Sequence, residues 1–324
     1  MTVPTLHLLS TDQYAPLVEQ LSRHHQPSCS QFLGWFLQTG HSTVDHLGRS
    51  KVYSTHSNPD YLPLDEPVVL VINSFHRLRI YVSTEPVFDN QGVVTESLKK
   101  QAAVGDWNGE KAPRLYDDDH LHVLYQKSVD LLEHVLHQVI NEWGNNECMF
   151  HGVSLVWQPL ISALYKIIYY GPCHTFVKPV ETDIPIESPW PLSNLVASDV
   201  KTVVERNKIL YDSKYVEDCF RISSALRDQG KLVAWAYTHR DLPIGGLHVI
   251  PEYRRRQLAS IIVRDLCNKQ SRFLLDNAPN SDQIQYYVLS LVEYSNPAST
   301  ALFERLGFSK VGLGMTWTEI SVRK

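Results

Sequence analysis

Along residues 122–143 the apolar positions Leu124, Leu132, Val135, Leu136 and Val139 fall on one side of a helix, and Gly144 follows as a stop. The pattern predicts a long amphipathic helix there. Shorter helices are predicted over 11–22 and 30–38. Between them and the long helix, EPVVLVIN and HRLRIYVSTE read as two strands joined at Ser74 and Phe75, and the second alternates at Leu78, Ile80 and Val82. Residues 84–118 are rich in turn formers and end in Asp117, Asp118 and Asp119, which predicts a long surface excursion. Another strand and helix follow the long helix.

The periodicity breaks between Lys178 and Asn194, KPVETDIPIESPWPLSN, where prolines, acidic and small residues cluster. A domain boundary is expected there, with one domain over 1–180 and a second over 190–324. In the second, KLVAWAYTHRDLPIGGLHVIPEYRRR reads as two strands entering a basic loop, and QLASIIVRDLCNKQSRFLL as the helix that the loop opens. The first-turn N–H groups of such a helix lack intrahelical partners and attract anions, a pyrophosphate among them. Further on, YYVLSLVEYSNPASTALFERLGF reads as a strand ending at Glu293 and Tyr294, then a helix with Asn296 as cap, Pro297 in its first position and Gly307 as its stop.

Composition narrows the function. At 324 residues, 43% hydrophobic and 20% charged, the chain can fill two cores. A net charge of −5 gives no reason to expect nucleic acid as a partner. The stretch VSLVWQPLISALYKIIYY is interrupted by Gln158, Pro159 and Lys166, so no membrane span or membrane partner is expected. Five cysteines without paired spacing point to reduced thiols, and the N-terminus lacks a basic n-region. A cytoplasmic protein is expected. His120 and His122 follow three aspartates, but the segment reads as an acidic loop entering a helix, and no metal is expected.

Together, LHVIPEYRRRQLA (Leu247 to Ala259), GKLVAWAY and VEYSNPAS with LFERLGF resemble the GNAT superfamily of acyl-CoA-dependent N-acyltransferases, most closely its glycine N-acyltransferase-like branch. The likeness is carried by order and spacing over about residues 200 to 315. It implies an α+β fold of tandem GNAT-like halves, each a mixed, mostly antiparallel sheet flanked by helices, with the first half a degenerate copy. It also implies acetyl-CoA or another acyl-CoA as co-substrate, a small-molecule amine, with amino acids among the candidates, as acceptor, and mitochondria as an alternative compartment. Leu247, Val249 and Ile250 would pair with the pantetheine arm as a strand edge, with Gly245 and Gly246 suited to a bulge and the N–H near Val249 to an oxyanion donor. Arg254, Arg255, Arg256, Gln257, Leu258, Ala259 and Ser260 would cradle the pyrophosphate, Gln257 standing where the family has a glycine. Asn296, Ser299 and Phe303 would flank the arm and the thiol.

Transfer to an amine needs a proton acceptor. The family's tyrosine acid is Phe303 here, and the glutamate proposed as base in that branch is Pro243. The substitutes at hand are His248 on the cofactor strand, Glu293 at the end of the next strand, and Asp241 in the preceding turn. These departures also fit a competing reading, a GNAT-fold binding or interaction module without catalysis. Acylation of a protein N-terminus or lysine is a third, and would demand an open groove.

Overall fold

The structure is a computed structural model and describes residues 4–39, 50–74, 77–90, 94–141, 147–181 and 184–322. The first half runs β1 (His7–Leu8), α1 (Tyr14–His24), α2 (Ser30–Thr39), β2 (Lys51–Ser54), β3 (Val69–Ser74), β4 (Arg77–Val82), α3 (Glu85–Phe88), α4 (Glu96–Val104), α5 (Asp119–Asn141), β5 (Glu147–Ser154), α6 (Gln158–Leu164) and β6 (Lys166–Pro179). The second runs β7 (Leu192–Ser193), α7 (Val200–Arg206), α8 (Ser213–Cys219), β8 (Ser223–Asp228), β9 (Lys231–Thr238), β10 (Ile244–Val249), α9 (Leu258–Asn277), β11 (Tyr287–Glu293), α10 (Pro297–Arg305) and β12 (Ser309–Ser321). The fold is α+β, and after two leading helices the halves repeat one order: three antiparallel strands, a long helix, a strand, a short helix and a long last strand. Phe75, Trp143 and Gly144, expected at a strand junction and a helix end, lie outside the described residues.

The twelve strands of the described residues form one sheet, in the order β1-β2-β3-β4-β5-β12-β6-β11-β10-β9-β8-β7. Each half ends by giving its last strand to the other. β12 pairs with β5 of the first half, Met315 opposite Ser154 through Ser321 opposite Glu147, while β6 pairs with β11 of the second, Cys173 opposite Glu293 through Pro179 opposite Tyr287. The two exchanged strands also pair with each other. Side chains alternate between faces along a strand, so in-register residues share a face. Arg77, Met149, Glu319 and Tyr169 therefore form one row across β4, β5, β12 and β6.

The core follows this plan. One apolar cluster lies under α5 in the first half, with Trp157, Tyr125 and Phe88 at its centre, and another under α9 in the second, with Trp235, Ile262 and Val263. A third joins Leu17, Leu21 and Leu33 of α1 and α2 to Leu242, Leu274 and Tyr286 of the second half. Each fully buried leucine contributes roughly 1.5–3 kcal/mol. Residues 84–118 are not a surface excursion. The segment carries α3 and α4, the latter capped by the Thr95 hydroxyl, which accepts the Leu98 N–H, and it buries Phe88, Leu98, Ala102, Trp107, Leu115 and Tyr116. Exposed residues such as Glu96, Asn108, Gly109 and Glu110 stand between the widely spaced apolar anchors and mask them in the sequence, while Glu85 is buried with those anchors.

Candidate active site

β10 pairs antiparallel with β9 but touches β11, its parallel neighbour, only at Ile244 opposite Ser290. Past that point the two strands diverge around a cavity of about 1580 Å³. The register of β10 on β9 slips between Gly245 and His248, the bulge that the glycine pair suits, and Gly246 has φ 57°. A side chain at Gly246 would run into the Tyr237 ring.

The bulge leaves one backbone donor aimed at the gap. Ile250 N–H donates to Val233 O on β9 at 3.0 Å. Donors alternate along an antiparallel strand, so the N–H of Val249 points away from β9, to the side on which β11 has left β10; Val249 and Ile250 themselves are not among the residues that line the cavity. No side chain among the described residues accepts it. At the equivalent place in the first half, Ser83 N–H donates to Val68 O and the N–H of Val82 points into the gap between β4 and β5. There the buried Glu85 carboxylate accepts it at 3.0 Å and also accepts the Trp157 indole N–H at 2.8 Å. The first half has closed its own gap.

Beyond β10 the loop takes the shape a glycine would supply. Gln257 has φ 59° and ψ 9°, and Arg255 has φ 65°. The left-handed turn at Gln257 opens α9, with Ser260 and Ile261 N–H bonded back to Gln257 O and those of Leu258 and Ala259 directed outward at the helix start. Arg254 Nε donates to Val249 O at 3.1 Å, and Arg256 lies 5.0 Å over the Tyr253 ring. Across the cleft, Asn296 caps α10 by accepting the Ser299 N–H at 3.1 Å, and Phe303 is buried beside Phe176. Leu247, His248, Asn296, Ser299 and Phe303 all line the cavity.

The three proposed proton acceptors also line it, in different states. His248 stacks on Trp235 at 4.6 Å with its Nε2 buried and unpartnered, and burial, with Arg254 and Arg206, lowers its pKa. Glu293 is held by Lys208 at 2.5 Å. Asp241 is buried, accepts from Arg79 at 3.1 Å and from Gln31 at 2.9 Å, and lies 3.9 Å from His151. Burial pushes its carboxyl up, but Arg79, His151 and His239 outweigh that and hold it below the usual range. A carboxylate so held is a weak base, and its evident work is to tie the β9–β10 turn to the first half.

The structure adds cavity residues that the local sequence pattern does not show. His239, Tyr211 and Tyr215 come from the β9–β10 turn and the α8 region. Arg77, Met149 and His151 come from the first half, and Trp317 and Glu319 from the exchanged strand. Their approach depends on long-range pairing. Among the described residues no cluster of His, Cys, Asp or Glu is arranged to hold a metal, and no helix is long and apolar enough to cross a membrane. All five cysteines are free and buried.

Residues 224–318, the segment that holds the bulge, the basic loop and α10, match the family model described as FR47-like protein. This segment is similar to that family. A crystal structure of a Drosophila melanogaster protein shares the fold over 98% of both chains, with a TM-score of 0.62 and 17% identity. A GCN5-related N-acetyltransferase from Kribbella flavida aligns over 79% of this chain and 87% of its own at 10% identity, with a TM-score of 0.39. A GNAT-family acetyltransferase from Colwellia psychrerythraea aligns over 98% of this chain and 100% of its own at 10% identity, also with a TM-score of 0.39. Those two scores are too low to weigh. No curated protein matches the sequence.

Proposed function

We propose that the second half binds an acyl-CoA in the gap between β10 and β11 and transfers the acyl group to the amine of a small molecule. The observation that supports this best is the cavity that opens where β10 leaves β11, with the unclaimed Val249 N–H on the side of β10 that faces away from β9. The residues fit the co-substrate. The edge of β10 offers backbone pairing to an extended amide chain, and the start of α9 with Arg254, Arg255 and Arg256 offers donors and charge to a pyrophosphate. The thioester supplies an activated acyl carbon. Val249 N–H would polarise its carbonyl.

His248, Glu293 and Asp241 stand around the same cavity, so proton transfer is assigned to this wall of the cleft. On geometry His248 ranks before Asp241, whose Oδ2 already accepts from Arg79 and Gln31. The first half contributes Arg77, Met149 and His151 to the acceptor end. An amino acid is the acceptor class that the resemblance suggests, in a soluble protein made of domains 1–180 and 190–324. Binding of acetyl-CoA to the full chain by calorimetry tests the reading: one site per chain supports it, and no binding removes it. The non-catalytic module would call for a filled apolar cleft, and this cleft is open and carries polar groups.

A further inference from the structure

Three histidines line the cavity, and they differ in how their rings are held. His151 Nδ1 and His248 Nε2 are buried without a hydrogen-bond partner. His239 Nδ1 lies 2.7 Å from the Tyr215 hydroxyl. The turn that carries His239 is closed by His239 N–H to Pro243 O at 2.9 Å and Leu242 N–H to His239 O at 3.0 Å. Asp241 in that turn is clamped to Arg79 and Gln31 of the first half. The ring's other nitrogen, Nε2, comes so close to Gly245 that any side chain there would collide with it. Gly245 opens the bulge. So one nitrogen is anchored, the backbone is fixed from both sides, and the free nitrogen is delivered to the place where the strands part.

We infer that His239 takes the proton from the acceptor amine, with Tyr215 as the positioning residue that presents its Nε2 to the cleft. This rests on the acyl-transfer reading and names a residue that neither the sequence pattern nor the resemblance assigns. The amine nitrogen bonds to the acyl carbon, the carbon–sulfur bond breaks, and Nε2 accepts the amine proton, which then returns to the departing sulfur. For this, the proton of the neutral ring sits on Nδ1 and is donated to the Tyr215 oxygen. The groups facing the ring are Tyr211, Tyr215, Tyr237, Asp241 and His151. Burial lowers the His239 pKa and Asp241 partly restores it, a net shift that favours the neutral ring. Burial and Arg79 drive His151 down to about 3, too weak a base to compete.

The test uses the full chain, acetyl-CoA and glycine as the probe amine, with released CoA read by a thiol reagent. Acetyl-CoA affinity of H239Q should match the wild type by calorimetry, while its kcat falls about 100-fold or more and the acidic limb of the kcat profile disappears. Y215F should keep that limb with a smaller loss. Unchanged kcat and limb in H239Q would overturn the assignment. Nitrogen-15 NMR of labelled histidine, assigned with H239Q, should show the Nδ1-protonated tautomer; the Nε2-protonated form would overturn it even where glycine is not turned over. Failure of the wild type to bind acetyl-CoA would instead remove the acyl-transfer reading, and this inference with it.

Discussion

Val82 and Val249 end equivalent strands in the two halves, and the N–H of Val82 is occupied by Glu85 at 3.0 Å, whereas that of Val249 has no side-chain acceptor among the described residues and points away from β9. One half has turned its gap into core, around Trp157 and the buried Glu85. The other has kept it as a cleft.

Glu85→Ala removes the acceptor from two buried donors, Val82 N–H and Trp157 Nε1–H. A buried donor left without a partner costs about 1–3 kcal/mol, so a loss of about 3 kcal/mol is expected in urea denaturation. A change under about 0.5 kcal/mol would mean that water replaces the carboxylate.

The same residue sets a pH dependence. Burial, with Asp89 beside it, pushes the Glu85 carboxyl well above its ordinary value, and burial pushes Asp89 up to about 6. A raised carboxyl binds its proton more tightly folded than unfolded, so the stability it contributes is present at low pH and is lost as pH rises from the ordinary carboxylate range through the folded value. Glu85→Gln should therefore gain on the wild type between pH 5 and pH 7.5. Parallel stability curves over that range would contradict the shift.

Arg79 and Asp241 join the halves through a buried pair. Removing one partner of such a pair costs about 3–5 kcal/mol, so Arg79→Met should lower the unfolding midpoint in urea sharply. Asp241 shows the opposite linkage to Glu85: its depressed carboxyl contributes stability above the ordinary Asp range, lost as pH falls through the folded value. The variant should shed that acid-side dependence, and a variant as acid-sensitive as the wild type would show the pair to be unimportant.

Gln257 holds a left-handed conformation that costs a side-chain-bearing residue roughly 1 kcal/mol. Gln257→Gly should raise the melting temperature or leave it unchanged, with acetyl-CoA affinity preserved. A clear loss of affinity would show that the glutamine side chain itself contacts the co-substrate.

Features set by local chemistry were legible in the sequence. The pair Gly245 and Gly246 announced the bulge, Asn296 and Pro297 the start of α10, and the apolar stripe from Leu124 to Val139 the long helix α5. Features set by distant pairing were not. Nothing local to Lys166–Pro179 or Ser309–Ser321 says that these strands change places, and with that exchange came Trp317 and Glu319 in the cavity wall. Asp241 was legible as a carboxylate near the cleft, but its partner Arg79 lies 162 residues away. His239 gave no signal because its anchor, Tyr215, reaches it from a separate helix.

The central claim is that an acyl-CoA lies along β10 with its pyrophosphate at the start of α9. Calorimetric titration of acetyl-CoA into the wild type and into the double variant R254A/R256A tests it most directly. The account predicts one site per chain in the wild type and affinity weakened about tenfold or more in the variant, about 1.4 kcal/mol; equal affinity in both proteins, or no binding to the wild type, would contradict it.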